Sequence, residues 1–387
     1  MNWEALLSDE RLAAIPLEEF DKELRDEFEK DQQTVIQSAA FRRLQDKTQV
    51  FPLDKNDFVR TRLTHSLETA FTAKQLANLT RKRLKKYNRV SMHETESMPD
   101  ILFCAGLLHD IGNPPFGHFG ETIIRDWFRN HLKELMYGEE SVYSLLSKQQ
   151  RMDLENFEGN AQALRSILKL PFSDSEFGMN LTAAVINTLI KYPCCSKDID
   201  DKAENIQYHK MGFFQADEEL VQRICRKTGT LAVGSYVRHP LTFLLEAADD
   251  ISYGVADVED SFKKGLFSYH QLRKKIADKI QKYDKNDKYY YVKEAQQKLT
   301  ELYVKGLELC SSVKDAEMYA VQNWLQYIKG WLMWCAAYSF SINYTAIMKG
   351  EYHKELLEDT YHEKTLEILK ETAKDYAFTH TSIMKLE

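Results

Sequence analysis

Glycine and proline are scarce in this chain, with 15 and 8 residues among 387, against roughly 7% and 5% in an average protein. Both residues interrupt helices, so their scarcity predicts long helices and little β structure. The six cysteines, Cys104, Cys194, Cys195, Cys225, Cys310 and Cys335, contain no C-x-x-C pair. That excludes a zinc knuckle or dithiol redox motif of this spacing and leaves the cysteines as reduced thiols. The first residues, MNWEALLSDERL, lack the basic stretch and apolar run of a secretory signal, which points to the cytoplasm. No long hydrophobic run is present either. The most apolar late segment, Trp331 to Ile342, is about a dozen residues where a membrane span takes about 20, so it is expected to be a buried helix. Charge of one sign is not in excess: 52 basic and 59 acidic residues leave a net charge of −7, so nucleic-acid binding does not follow from net charge. Repeats and low-complexity tracts are absent, which argues against solenoids and propellers.

What is there is the composition of a globular protein, 43% apolar and 29% charged, long enough for one large or two modest cores without disulfides or a structural metal. An acidic, amphipathic stretch from Ile15 to Lys30 precedes FRRLQDKTQVFPL (41–53), which reads as a brief extended segment or turn. Leu63, Leu67 and Phe71 recur every four residues, and Leu164, Ile167 and Leu168 cluster similarly, predicting two helices that pack these stripes on a core. ILFCAGLL (101–108) is an unbroken apolar run that fits a buried strand or a buried helix. It ends abruptly in His109-Asp110, and Gly112, Asn113, Pro114 and Pro115 prevent a helix from continuing far. Pro240 suits a helix start, with Leu244, Leu245, Ala248, Ile251, Val255 and Phe262 as apolar positions of a long helix. Two segments are strongly basic, Arg81 to Arg89 and Lys263 to Lys298. Each reads first as a solvated face; the rival is a contact with nucleic acid or polyphosphate, where Tyr289, Tyr290 and Tyr291 would stack on bases or else anchor a flap.

An isolated His-Asp pair carries little information, but this one has company. His65 lies on a helix some forty residues earlier, and Asp249 lies on another, inside EAADDISYGVAD (246–257). His65, His109, Asp110 and Asp249 would form an N2O2 donor set that suits Mn, Fe, Co, Ni or Zn, and Mg less naturally; six-coordination leaves two positions open. Asp249, Tyr253 and Asp257 are four apart and share one helix face. That face is either a solvated acidic stripe or the wall of a cavity where a ribose hydroxyl is read. His118 and Glu121 follow the His-Asp pair in HDIGNPPFGHFGE (109–121). Beside a phosphate, an imidazole is a natural proton donor to a leaving alkoxide, and a carboxylate three residues on can orient it. Arg62, three residues before His65, would clamp phosphate oxygens, or else make an ordinary surface ion pair.

These residues also carry a resemblance. TRLTHSLE (61–68), HDIGNPPFGHFGE (109–121), NFEGNAQALR (156–165) and RHPLTFLLEAADDISY (238–253), with FRRLQDKTQVFPL and KMGFF (210–214), occur in this order between about residues 38 and 262. The set is similar to the motifs of HD-superfamily deoxyguanosine triphosphate triphosphohydrolases. The resemblance implies a mostly α, HD-domain helical fold in a single body, with the metal core at 38–262 and a helical C-terminal region at 263–387. It implies hydrolysis of a deoxynucleoside triphosphate, dGTP by preference, to deoxynucleoside and intact tripolyphosphate. One divalent metal, Mn²⁺ or Mg²⁺, would sit on His65, His109, Asp110 and Asp249, with a water on it attacking the α-phosphate. His118 would be the general acid and Glu121 its partner. Arg62 and Lys210 would hold phosphates; Gln49, Tyr253 and Asp257 would recognise deoxyribose. The family register favours Asp249 over its neighbour Asp250, and Asn160 receives no role. A homo-oligomer, hexameric or tetrameric, is expected, with a dNTP or single-stranded DNA as effector and no membrane partner. The chain stops at HTSIMKLE, inside a helical pattern, where long bacterial members continue.

Two rivals stand beside this reading. One is a different HD phosphohydrolase, or a dNTPase of broad specificity; His118, Glu121 and the Tyr253/Asp257 face argue against the former. The other is a non-catalytic nucleotide or nucleic-acid binding protein, against which the intact acid and ligand positions argue.

Overall fold

The structure, a computed structural model, describes residues 1–13, 26–51, 56–170, 177–232, 234–283 and 289–378. Most of the acidic stretch after Ile15, the end of the FRRLQDKTQVFPL segment and the terminal HTSIMKLE lie outside the described residues. Among the described residues, the helices of ten or more residues are α1 (Glu27–Gln37), α2 (Arg62–Lys86), α3 (Met98–Leu108), α4 (Gly117–His131), α5 (Gly159–Lys169), α6 (Glu218–Lys227), α7 (Pro240–Lys263), α8 (Tyr269–Tyr283), α9 (Tyr290–Leu309), α10 (Val313–Ile342) and α11 (Glu363–Ala373). Among the described residues, β structure is confined to two antiparallel ribbons, Met136–Tyr137 with Glu140–Ser141 and Leu231–Ala232 with Ser235–Tyr236, and an isolated bridge from Thr48 to Thr61. The mostly α class is therefore correct, and ILFCAGLL is a buried helix rather than a strand.

Helices α2, α3, α7 and α10 form the centre of the molecule. Local sequence explains where the first three begin. Thr61 and Thr64 close a capping box on α2, Pro99 sits in the first turn of α3, and Pro240 opens α7 behind the N-cap residue His239. Helices α2 and α3 approach so closely that a β-carbon on Gly106 would collide with the Ala70 backbone. This contact requires small residues on the inner face of α2. The expected apolar stripe is corrected accordingly: Leu63 is half-buried, but Leu67 and Phe71 are exposed, at 37% and 58%. The buried face instead carries His65, Ser66, Thr69, Ala70, Ala73, Leu76 and Ala77. Close packing and the site claimed that face, and the bulky stripe was turned outward, where Phe71 meets the edge of Phe103. The other stripe behaves as expected, with Leu164, Ile167 and Leu168 all buried.

The basic segments read mainly as solvated or structural. Lys82, Lys85, Lys86 and Arg89 are exposed, while Arg81 is buried and donates to Thr95 Oγ1 and the Met92 carbonyl. Arg83 lies over the Trp334 and Tyr338 rings at 4.9 and 5.2 Å. In the second segment, Tyr289 is buried and Tyr291 packs on Tyr361 with ring centroids 4.8 Å apart, so two of the three tyrosines serve packing.

The cap of α7 makes acid stability testable. His239 is buried; its Nδ1 accepts the Leu241 N–H at 3.1 Å, and its Nε2–H donates to the Leu6 carbonyl at 3.0 Å. Burial pushes its pKa down from 6.5 to about 4, a little offset by the Leu6 carbonyl. Between those two values the unfolded chain binds a proton that the folded chain refuses, so stability falls as pH drops through this window. The total loss from this one group is about 3 kcal/mol. Urea unfolding at pH 7.5 and pH 5 is expected to show that loss beginning, and less of it in His239→Gln. An identical pH dependence in both proteins would remove His239 as its source.

Candidate active site

Three helices deliver one donor each to a single point. His65 projects from the first turn of α2, His109 sits at the C-cap of α3, and Asp249 lies mid-way along α7. His65 Nε2 is 3.1 Å from Asp249 Oδ1. His109 Nε2 is 3.3 Å from the same oxygen and 3.3 Å from His65 Nε2. Asp110 borders this trio, with Oδ1 3.7 Å from His109 Nε2. Its two oxygens are also engaged from outside, Oδ2 by Arg62 at 2.5 Å and Oδ1 by the Asn113 amide.

The chemistry of this donor set fits a divalent cation. His109 Nδ1–H donates to the Gly106 carbonyl at 2.8 Å, which leaves Nε2 as the nitrogen that faces the cluster. Burial would lower the His109 pKa, but Asp110 and Asp249 outweigh it and push it up to about 9. The carboxylates respond in the opposite sense. Burial would raise Asp249, yet His109 and His65 hold it well below the usual range, and Arg62 with His109 does the same for Asp110. Two ionised carboxylates beside two imidazoles thus supply the donors that a divalent ion takes once it displaces the proton these carboxylates hold on His109. Asp250, adjacent in sequence, points elsewhere and pairs with Lys370 at 2.9 Å.

His118 lines the same cleft as this cluster and pairs with Glu121. His118 Nδ1–H donates to Glu121 Oε2 at 2.8 Å, and Glu121 Oε1 accepts the Gly159 N–H at 2.9 Å. Glu121 is 1% exposed and the His118 side chain 84% exposed, so a buried carboxylate orients an accessible imidazole. Burial would raise the Glu121 pKa, but its bond to His118 and the Gly159 N–H hold it low, which keeps it ionised. The chain reaches this pair through Phe116, whose φ of 64° is unusual for a bulky residue. Gly117 follows at φ 55°, and a β-carbon there would collide with the Arg62 guanidinium.

His65, His109, Asp110, Asp249 and His118 share a cleft of about 420 Å³ with Thr48, Gln49, Val50, Arg62, Asn113, Asn160, Lys191, Glu246 and Tyr253. Gln49 Oε1 and Arg62 Nε are buried without hydrogen-bond partners among the described residues, which leaves both available to a ligand. Tyr253 faces the cleft and bonds to Asp257 one turn deeper, and burial raises the pKa of both. Asp257 is buried behind the tyrosine and does not reach the cleft wall. Lys210 also stands outside the lining, 3.0 Å from Glu158 Oε1, where Asn160 Nδ2 donates as well at 3.1 Å. Lys191 and Glu246 were not anticipated from sequence; both line the cleft and form an ion pair. Burial would lower the Lys191 pKa, and Glu246 overrides it so that the cation is retained. Their only sequence signal was a lone lysine in KYPCC and a glutamate three residues before Asp249.

The family model described as HD domain matches residues 62–166, a range that holds His65, His109, Asp110, His118 and Glu121. A deoxyguanosinetriphosphate triphosphohydrolase-like protein of Listeria monocytogenes is 40% identical over the whole of this chain and 80% of its own length. Proteins named deoxyguanosinetriphosphate triphosphohydrolase from Klebsiella pneumoniae and Yersinia enterocolitica are each 36% identical, covering 97% and 93% of this chain and 77% and 73% of their own lengths. The chain belongs to the deoxyguanosinetriphosphate triphosphohydrolase family. The HD match ends before α7, so Asp249, Tyr253 and Asp257 of this triphosphohydrolase family member lie beyond it and meet the HD residues only through tertiary packing. Among the described residues, no helix is long and apolar enough to cross a membrane.

Proposed function

We propose that this protein hydrolyses a deoxynucleoside triphosphate, dGTP by preference, to deoxynucleoside and tripolyphosphate. The observation that carries the reading is a His-His-Asp donor cluster and an accessible histidine, oriented by a buried glutamate, lining one cleft in a chain of this family. A divalent ion, Mn²⁺ or Mg²⁺, held by His65, His109, Asp110 and Asp249 would polarise the α-phosphate and activate water for attack on it. Attack forms one bond to the α-phosphorus and breaks its bond to the 5′-oxygen. His118 protonates that oxygen as it leaves, and the Glu121 carboxylate keeps the imidazole turned toward it. Arg62 and Lys191 line the cleft, and Lys210 reaches the Glu158 carboxylate that also holds the cleft residue Asn160; these cations receive the phosphate charge. Gln49 and Tyr253 contact the sugar, with Asp257 setting the tyrosine from behind.

The protein acts in the cytoplasm as a homo-oligomer, hexameric or tetrameric, responsive to a dNTP or to single-stranded DNA. Support for assembly comes from α4, whose Phe119, Ile123 and Trp127 make an exposed apolar stripe at 41%, 53% and 44%. A monomer in native mass spectrometry at working concentration would remove that part.

The reaction is tested by mass spectrometry of products from each dNTP and from GTP in ¹⁸O-labelled water, with Mn²⁺ or Mg²⁺ and with a chelator. Expected are unlabelled deoxynucleoside and singly labelled tripolyphosphate, fastest from dGTP, with loss of turnover on chelation. Release of orthophosphate or pyrophosphate, or equal use of GTP, would contradict the proposal.

A further inference from the structure

Asn113 lines the cleft and touches both Asp110 and the Gly159 backbone that holds Glu121. It follows Asp110 by three residues in a turn closed by its own N–H, which donates to the Asp110 carbonyl at 3.2 Å. Its Nδ2 donates to Asp110 Oδ1, while Arg62 holds Oδ2. Its Oδ1 rests against Gly159, where a β-carbon would collide with both Asn113 Oδ1 and Glu121 Oε1. The Gly159 N–H is the same group that donates to Glu121. The Asn113 carbonyl accepts from Lys47 Nζ at 2.7 Å, and Lys47 is next in sequence to the cleft-lining Thr48 and Gln49. Gly112 presses the whole turn onto α5, since a β-carbon there would overlap the Ala163 nitrogen and the Gly159 carbonyl.

A carboxylate turns easily about its last torsion, which is broad rather than three-welled. One donor from Arg62 on Oδ2 leaves that rotation partly free. A second donor on Oδ1, mounted on a turn pinned to α5, removes it. We propose that Asn113 is a positioning residue: it orients the Asp110 carboxylate for the divalent ion and, through Gly159, keeps the cation site in register with the His118–Glu121 pair. The inference rests on Asp110 being a ligand, and the experiment below separates the two claims.

The measurement is the dissociation constant for Mn²⁺, from the electron paramagnetic resonance signal of the free ion, on wild type, Asn113→Ala, Asn113→Asp, Asp110→Ala and the Asp110→Ala/Asn113→Ala double variant. Loss of a partner that orients a ligand is expected to weaken binding roughly 10- to 100-fold in Asn113→Ala. Asn113→Asp keeps the shape but loses the donor, so it is expected to be at least as weak. In the Asp110→Ala background, the added Asn113→Ala change is expected to shift affinity by no more than about twofold, because its target is gone. A residue that merely fills space would instead give wild-type affinity in Asn113→Asp. Wild-type affinity in both single variants at Asn113, or an undiminished effect in the double variant, overturns the proposal. Wild-type affinity in Asp110→Ala removes the ligand assignment itself. Thermal midpoints taken without metal identify any variant that is unfolded, and the two Asn113 substitutions provide independent readings.

Discussion

Asp249→Ala is expected to empty the cation site and abolish turnover while the protein stays folded. Asp249 Oδ1 is the atom that both imidazoles face, at 3.1 and 3.3 Å, so its loss removes a ligand together with the charge that balances the cation. The remaining donors would be two imidazoles and the Asp110 carboxylate, whose oxygens are also engaged by Arg62 and Asn113. Metal content by inductively coupled plasma mass spectrometry should drop to a small fraction of wild type, and hydrolysis should drop with it. The side chain is about one-third exposed, so truncation opens no sealed cavity and folding should survive. Asp250→Ala is the matched control. Its carboxylate pairs with Lys370 at the surface, 39% and 41% exposed, and its removal should leave metal content intact and cost no more than about 1 kcal/mol of stability. Full metal occupancy in Asp249→Ala, or metal loss in Asp250→Ala, would mean the wrong carboxylate has been assigned.

His118→Ala is expected to separate chemistry from metal binding. The imidazole lies on α4, which supplies no member of the His65, His109 and Asp249 group, and its Nδ1 is held by Glu121. Its removal should therefore leave Mn²⁺ affinity near wild type and lower kcat by roughly 10² to 10⁴, the usual range for a general acid. The substrate's own chemistry supplies a further check. An analogue whose leaving 5′-position needs no proton, such as a p-nitrophenyl ester of the α-phosphate, should lose far less in His118→Ala than dGTP does. Glu121→Gln should fall between wild type and His118→Ala, because the amide still fills the site but no longer stabilises an imidazolium. Unchanged kcat in His118→Ala removes the role assigned to it, and equal losses with both substrates would place His118 in binding rather than in proton transfer.

The candidate residues were legible from sequence to different degrees, and the differences have physical causes. The His-Asp pair and the His118–Glu121 pair are separated by one short turn, so glycine, proline and residue spacing already constrain their geometry. His65 and Asp249 were legible as residues of the right type on helices, while their meeting depends on packing across 184 positions of chain. The face pattern of α7 placed Asp249 and Tyr253 together correctly, since i and i+4 share a helix face. The same rule says nothing about depth, and Asp257 lies behind the tyrosine rather than at the cleft wall. On α2, the periodic rule chose the wrong stripe. The conflict there was between bulk and closeness, and the Gly106–Ala70 approach required small side chains inside.

Sequence by itself determined the helical class, the starts of α2 and α7, the end of α3 at His109, and the residue types able to hold a cation and move a proton. These follow from local rules: caps, prolines, the absence of helix breakers, and the fixed pKa and donor chemistry of His, Asp and Glu. Tertiary structure decided which oxygen the two imidazoles share, that Asp110 is gripped by Arg62 and Asn113, that Lys191 and Glu246 join the cleft lining, and that Lys210 stands aside with Glu158. Each of these is a contact between segments or a side-chain direction set by its neighbours. Such contacts depend on how closely helices approach and on what is left unpaired at their junction, and neither quantity is written in the order of residues along any one helix.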